Sequence, residues 1–204
     1  FKKEECDKAA QIFDREIVNK ENPVAYYYMA EIYNKRGYTK LAIKTYKKAD
    51  DKKANFFEPK KRLASANIEI GEYDEALNYA LSAQKINSKD IELLETLLVI
   101  YRYFDRYDDI INTHKKIVEV DKKNCNSNYY LADYYMEEDN NRSAIPYLKN
   151  LLDIGYNTNI AYALASSYSS IEHYIKAIEI LDLIIKNYPW EVLSATYYKE
   201  NLKL

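Results

Sequence analysis

The chain has 204 residues, 48% apolar and 30% charged, ample for a substantial core. Its 30 Lys and Arg stand against 32 Asp and Glu, and a formal charge of −2 argues against a nucleic-acid partner and against polybasic attraction to anionic lipid. No apolar run reaches the roughly 18–20 residues of a membrane span, and three Gly and four Pro are too few for the turns of a strand-rich fold.

The chain opens on Phe1 without a charged-then-apolar leader, which reads as a processed or trimmed chain. Residues 1–20 read as a helix with Ala9, Ile12 and Phe13 on its packing face. Asn22-Pro23 then supplies an N-cap and an N1 proline. Tyr26, Met29, Ala30 and Tyr33 follow at i, i+3, i+4 and i+7, one stripe of a helix. Gly37 can take the positive φ that closes that helix, and a second helix carries Ala42, Tyr46 and Ala49. The same signals then return. Pro59 stands near the next helix start, Leu63 and Ala64 occupy its stripe, and Gly71 repeats the role of Gly37 before Ala76 and Ala83. A third pair of helices carries Leu97, Leu98 and Tyr101, then Ile110 and Ile117; a fourth carries Leu131, Ala132 and Tyr135, then Ala144. Pro146 removes a helix donor, so the fourth unit's second helix is predicted to start late or bend. The fifth unit has Leu164, Ala165, Tyr168 and Ala177, and residues 191–204 form a closing helix with Ala195, Tyr198 and Leu202 inward.

The columns Met29/Leu63/Leu97/Leu131, Ala30/Ala64/Leu98/Ala132 and Tyr33/Asn67/Tyr101/Tyr135 each repeat at 34 residues, and the fifth unit continues them at 33. A large residue, Leu, a small residue and Tyr on helix A, then Ala, an aromatic and Ala on helix B, resembles the tetratricopeptide repeat. The intact Gly71-Glu72-Tyr73-Asp74-Glu75-Ala76-Leu77 turn and the terminal Pro189 strengthen the resemblance, which covers nearly the whole chain. It implies an all-α, right-handed superhelical solenoid of helix-turn-helix repeats: one domain over 1–204, with 1–20 as helix B of a truncated repeat, repeats at 23–56, 57–90, 91–124, 125–157 and 158–190, and 191–204 as a capping helix.

Catalytic constellations do not stand out, and the chain reads as a non-enzyme without cofactor or metal. His114 falls on a helix B packing column beside Tyr46, Ala80, Leu148 and Leu181, the place of a structural histidine, and His173 falls in a turn. Cys6 and Cys125 are separated by six packed helices in such an array, too far for a disulfide, and match no metal-ligand spacing. The 23 tyrosines read either as repeat packing positions amplified by a Lys/Asn/Ile/Tyr bias or as an aromatic binding surface.

The resemblance implies that helix A positions two, five, nine and twelve line a concave groove. The groove candidates are Tyr27, Glu31, Lys61, Glu92, Glu95, Arg102, Tyr129, Asp133 and Tyr162, with an ordinary wet surface as the alternative. Some family members clamp an acidic C-terminal carboxylate there; of the matching positions Tyr27, Glu31, Arg62, Glu92 and Thr96, Arg62 alone suits that role, which argues against a co-chaperone clamp. The sequence thus points to a protein-interaction scaffold whose partner is a protein or peptide, neutral or basic rather than acidic. The alternatives are a bacterial envelope assembly or trafficking factor, if a leader was removed, and the non-catalytic arm of a larger enzyme; a cytoplasmic location is favoured, and the oligomeric state is left open.

Overall fold

A computed structural model describes residues 11–15, 17, 21–155 and 157–202. Among them there is no strand. Five helical hairpins follow one another, each a helix A and a helix B: α1 (Pro23–Lys35) and α2 (Thr39–Lys52), α3 (Phe57–Glu69) and α4 (Tyr73–Ile86), α5 (Ile91–Tyr103) and α6 (Tyr107–Val120), α7 (Cys125–Glu137) and α8 (Asn141–Ile154), α9 (Thr158–Ser170) and α10 (Tyr174–Asn187). A 3-10 turn, Pro189–Glu191, leads into α11 (Val192–Glu200). Helix A starts recur at 34-residue intervals and the last at 33.

Local chemistry sets these boundaries. Asn22 Oδ1 accepts from the Val24 N–H at 2.9 Å, Asp90 Oδ1 from Leu93 at 2.8 Å, Asn124 Oδ1 from Ser127 at 2.9 Å and Asn157 Oδ1 from Asn159 at 2.8 Å, so four of the five A helices begin on a side-chain cap. The second A helix does not. Phe56 precedes it without a side-chain cap, and Pro59 is its third residue rather than its first. The proline is tolerated because first-turn N–H groups have no intrahelical acceptor.

Every A helix ends in the same closed turn. The Gly37 N–H donates to the Asn34 carbonyl and the Tyr38 N–H to the Tyr33 carbonyl, at 2.9 and 3.0 Å; the same pair of bonds recurs at Gly71/Glu72, Asp105/Arg106, Asp139/Asn140 and Glu172/His173. The turn needs a left-handed residue. Gly37 and Gly71 supply it at φ 78° and 81°, whereas Asp105, Asp139 and Glu172 are held at 51°, 53° and 63°.

The chain divides into two compact units, 1–113 and 114–204. In the first, Ala30, Ala42, Tyr46, Leu63 and Ala66 form a buried cluster with Ile43. In the second, Ala132, Ala144, Leu148, Leu164, Ala165, Ala177, Leu181 and Ala195 do so. The small-residue columns are buried throughout, Ala30, Ala64 and Ala165 completely. A small side chain there lets two helices approach closely enough to bury the stripe that one hairpin alone leaves exposed.

Two sequence expectations are revised. The helix carrying Pro146 starts on register at Asn141, because the Asn140 side chain, accepting from the Ser143 N–H at 3.3 Å, sets its first turn upstream of the proline. At the N-terminus, residues 11–15 are helical but Ile12 is 60% exposed and is not a packing residue, whereas Phe13 stacks on Tyr28 with ring centroids 5.2 Å apart; Ala9 lies outside the described residues. Cys125 is a free, exposed thiol on the first residue of α7, and Cys6 lies outside the described residues. His114 is buried, with Nδ1 3.0 Å from Ser127 Oγ and its ring stacked 4.1 Å from Tyr130, a structural histidine. His173 is exposed in its turn.

Candidate protein-binding face

On each A helix most of the packing stripe is buried, and the second, fifth, ninth and twelfth positions lie beside it. In the first unit these residues form a charge network rather than a free surface. Lys61 is only 5% exposed, and its ammonium lies 2.8 Å from Glu92, 3.4 Å from Asp90 and 3.5 Å from Glu58. Arg62 holds the other Glu92 oxygen and sits 3.3 Å from Glu31, which in turn accepts a short hydrogen bond from the Tyr46 hydroxyl. Three successive A helices, α1, α3 and α5, are thereby stitched through Glu31, Arg62, Lys61 and Glu92.

The titration of these groups follows from that geometry. Burial opposes the charge on Lys61, but hydrogen bonding to Glu92 and the charges of Glu58, Asp90 and Glu92 hold its pKa above the ordinary lysine value. The same bond from Lys61, together with the Arg62 charge, holds the Glu92 carboxyl below the ordinary carboxylate range. Burial, then the hydrogen bond to Glu31 and its negative charge, push the Tyr46 phenol upward; burial and Glu31 do the same for Tyr27.

Tyr27 belongs to this network. It is half-buried, close enough to Arg62 to feel its charge, and has its ring 6.0 Å from Tyr46, 5.8 Å from Phe56 and 5.2 Å from Tyr28. Its position one stripe away from the core helix face suggested a free anchor; the neighbouring helix instead brings Arg62 and Phe56 onto it. Glu95, Val99 and Arg102 on α5 are exposed.

The second unit is built otherwise. Tyr129 and Asp133 are exposed on α7, and Met136 is half-buried one turn further on. With Ala132, Leu148, Asn157, Asn159, Ile160 and Ala163 they line a cavity of about 260 Å³ open to solvent. Among the described residues Asp133 has no cation within ion-pair distance. Tyr162 stands on α9 with its hydroxyl donating to Glu191 at 3.2 Å and its ring tilted against Tyr198. Of the sequence candidates, the structure therefore joins Tyr27, Glu31, Lys61 and Glu92 in one network and gathers Tyr129 and Asp133 at one cavity. It leaves Glu95 and Arg102 as separate surface charges, and Tyr162 half-buried against the C-terminal turn. Sequence reasoning missed two things. The Tyr46 hydroxyl reaches across its hairpin to Glu31, and a cavity lies beside Ala132 and Ala163.

No group of three or more His, Cys, Asp or Glu among the described residues is arranged to hold a metal ion, and none of the described helices is long and apolar enough to cross a membrane.

No family model matches the chain. A TPR repeat-containing protein of Methanocaldococcus jannaschii is 30% identical over 206 residues, a stretch covering 88% of this chain and 35% of the relative, so the chain spans about a third of that protein's length. Among solved structures, YrrB, described as a TPR protein with an unusual peptide-binding site, superposes with a TM-score of 0.62 at 18% identity, over 94% of this chain and 99% of that one. MamA of Desulfovibrio magneticus gives 0.59 at 17% identity, over 73% and 85%. A tetratricopeptide repeat protein of Parabacteroides merdae gives 0.58 at 18% identity, over 89% and 71%. With the residue columns, the repeated closing turns and these likenesses in agreement, the chain is a tetratricopeptide-repeat protein, an all-α array of helical hairpins of the kind that scaffolds protein–protein interaction.

Proposed function

We propose that the chain is a non-catalytic scaffold that holds a segment of a partner protein on the helix A face of its second unit. The carrying observation is the contrast on one face: Leu131 and Ala132 on the packing stripe of α7 are buried, while Tyr129, half exposed, and Asp133 stand beside an open cavity without an ion-pair or hydrogen-bond partner among the described residues. Large side chains held on a rigid helix beside a concavity concentrate binding energy, because the scaffold has already lost the freedom that association would otherwise remove. That YrrB is described as having a peptide-binding site supports this use of the fold.

The test begins with cross-linking and mass spectrometry to recover a partner, followed by titration of that partner against Tyr129→Ala. Tyr129 is the clean probe, because truncating Tyr27 or Tyr162 also removes contacts within the protein. We expect Tyr129→Ala to weaken binding by about 1–2 kcal/mol while the melting curve stays in place. Unchanged affinity in the folded variant would move the site off this face.

A further inference from the structure

The cavity beside Tyr129 has a chemistry that narrows what it holds. Its walls are mixed: Ala132, Leu148, Ile160 and Ala163 are apolar, Met136 contributes a flexible thioether that adapts to an incoming stem, and Asn157 and Asn159 add neutral polar groups. About 260 Å³ is far more than one water requires, roughly 30 Å³ of liquid, and leaves room for a side chain. Among the described residues, the single charged one on the lining is Asp133. The two helices that supply most of the lining add no base. Across Cys125–Glu137 the charged residues are Asp133 and Glu137, and Thr158–Ser170 has none. The contrast with the first unit is direct. There Glu31 and Glu92 are met by Arg62 and Lys61 from within the chain; here the acid at the cavity has no such base.

We infer that this cavity takes the side chain of an arginine or lysine from the bound segment, its aliphatic stem against Ala132, Met136 and Ala163 and its cationic head at Asp133. The inference rests on the helix A face being the binding face. An acid at the rim of a largely apolar slot rewards a residue that is apolar along its length and positive at its tip. The exposed Tyr129 ring at the mouth adds a face that attracts a cation. A purely aliphatic anchor would fill the slot but leave Asp133 unanswered, and an acidic one would be repelled.

The chain contains two methionines, and that makes the test direct: Met136 lines the cavity, and Met29 is buried in the first unit. With [13C-methyl]methionine in the whole chain, the probes are blocked pentapeptides, acetyl-Ala-Ala-X-Ala-Ala-amide, with X as Arg, Lys, Leu or Glu. We expect the Arg and Lys peptides to shift the Met136 methyl resonance saturably and to leave Met29 unmoved, with Leu and Glu peptides binding at least fivefold more weakly. Asp133→Asn, at an exposed and nearly isosteric position, should fold normally and bring the Arg and Leu peptides within about twofold of each other. A Leu or Glu peptide binding as tightly as the Arg peptide overturns the basic anchor, and so does an Asp133→Asn variant that keeps the Arg preference. If all peptides bind alike and Tyr129→Ala weakens them all, the face stands and the anchor falls. If no peptide moves Met136 at millimolar concentration, the anchor falls, and the partner titration against Tyr129→Ala decides the face independently.

Discussion

The same helix face, in the same repeat register, is built differently in the two units. In the first, Glu31, Lys61, Arg62 and Glu92 satisfy one another and link α1, α3 and α5. In the second, the corresponding positions hold Tyr129 and Asp133 beside an open cavity. The difference teaches that position in a repeat does not decide whether a side chain is available to a partner. What decides it is whether the neighbouring helix supplies the opposite charge. A position answered from within contributes to stability, and one left unanswered is a candidate for recognition.

The sharpest way to break this comparison is to truncate a tyrosine in each unit. Tyr46 is completely buried and its hydroxyl closes the network on Glu31. Tyr46→Ala therefore removes a core ring and one of the two groups that hold Glu31, and we expect a loss of about 3–5 kcal/mol in urea unfolding, in the range of large aromatic truncations. Tyr129→Ala is expected to lie within about 0.5 kcal/mol of the parent, as for a surface substitution. Comparable losses at the two sites would mean that the Tyr129 face is structural too.

A smaller effect tests the network by its charge. Lys61→Met keeps the buried stem and removes the ammonium, leaving Glu58, Asp90 and Glu92 without their shared cation. Because Glu92 is about half exposed, the charge-assisted bonds are discounted for solvent, and we expect a loss of about 1–2 kcal/mol. The same network should show in the pH dependence. The Glu92 carboxyl is held below its ordinary value, first by the Lys61 hydrogen bond. Between that lowered value and the ordinary glutamate pKa of about 4.3, the folded chain binds fewer protons than the unfolded one. Its contribution is fully present above that window and is lost as pH falls through the folded value. Urea unfolding at pH 6 and pH 3 should thus differ less in Lys61→Met than in the parent; an unchanged pH difference would show that Lys61 does not set the Glu92 titration.

How much of this was legible in the sequence follows from what kind of interaction each feature uses. The hairpins were legible because their signals are local and repeated: Met29 and Ala30 recur as Leu63 and Ala64 one unit on, and Gly37 recurs as Gly71. The start of α8 was misjudged because Pro146 is visible in one dimension while the Asn140 cap that outranks it needs the turn geometry. The face was legible as a set of positions, but not its division of labour. Tyr27 and Tyr129 occupy the same helix A position, and the sequence treats them alike. Only the helix packed alongside shows Arg62 and Phe56 on one and open space beside the other.

The smallest expected effect compares the closing turns themselves. All five hairpins close with the same two backbone bonds, yet glycine supplies the left-handed residue at 37 and 71, and Glu172 does so at φ 63° in the fifth. For a residue with a Cβ that conformation is unfavourable by about 1–2 kcal/mol, whereas Gly in the unfolded chain carries extra freedom that offsets roughly 0.5–1 kcal/mol of any gain. Asp and Asn tolerate the region better than other side chains, so Asp105 and Asp139 start with less to relieve than Glu172. We therefore expect Glu172→Gly to stabilise the chain by about half a kcal/mol, and Asp139→Gly by less. Glu172 is exposed, so no packing is lost with its side chain. Thermal unfolding of the two variants checks the order. Destabilisation by Glu172→Gly would mean that the fifth turn is held by a side-chain interaction of Glu172 rather than by its two backbone bonds, and would separate it from the turns at Gly37 and Gly71.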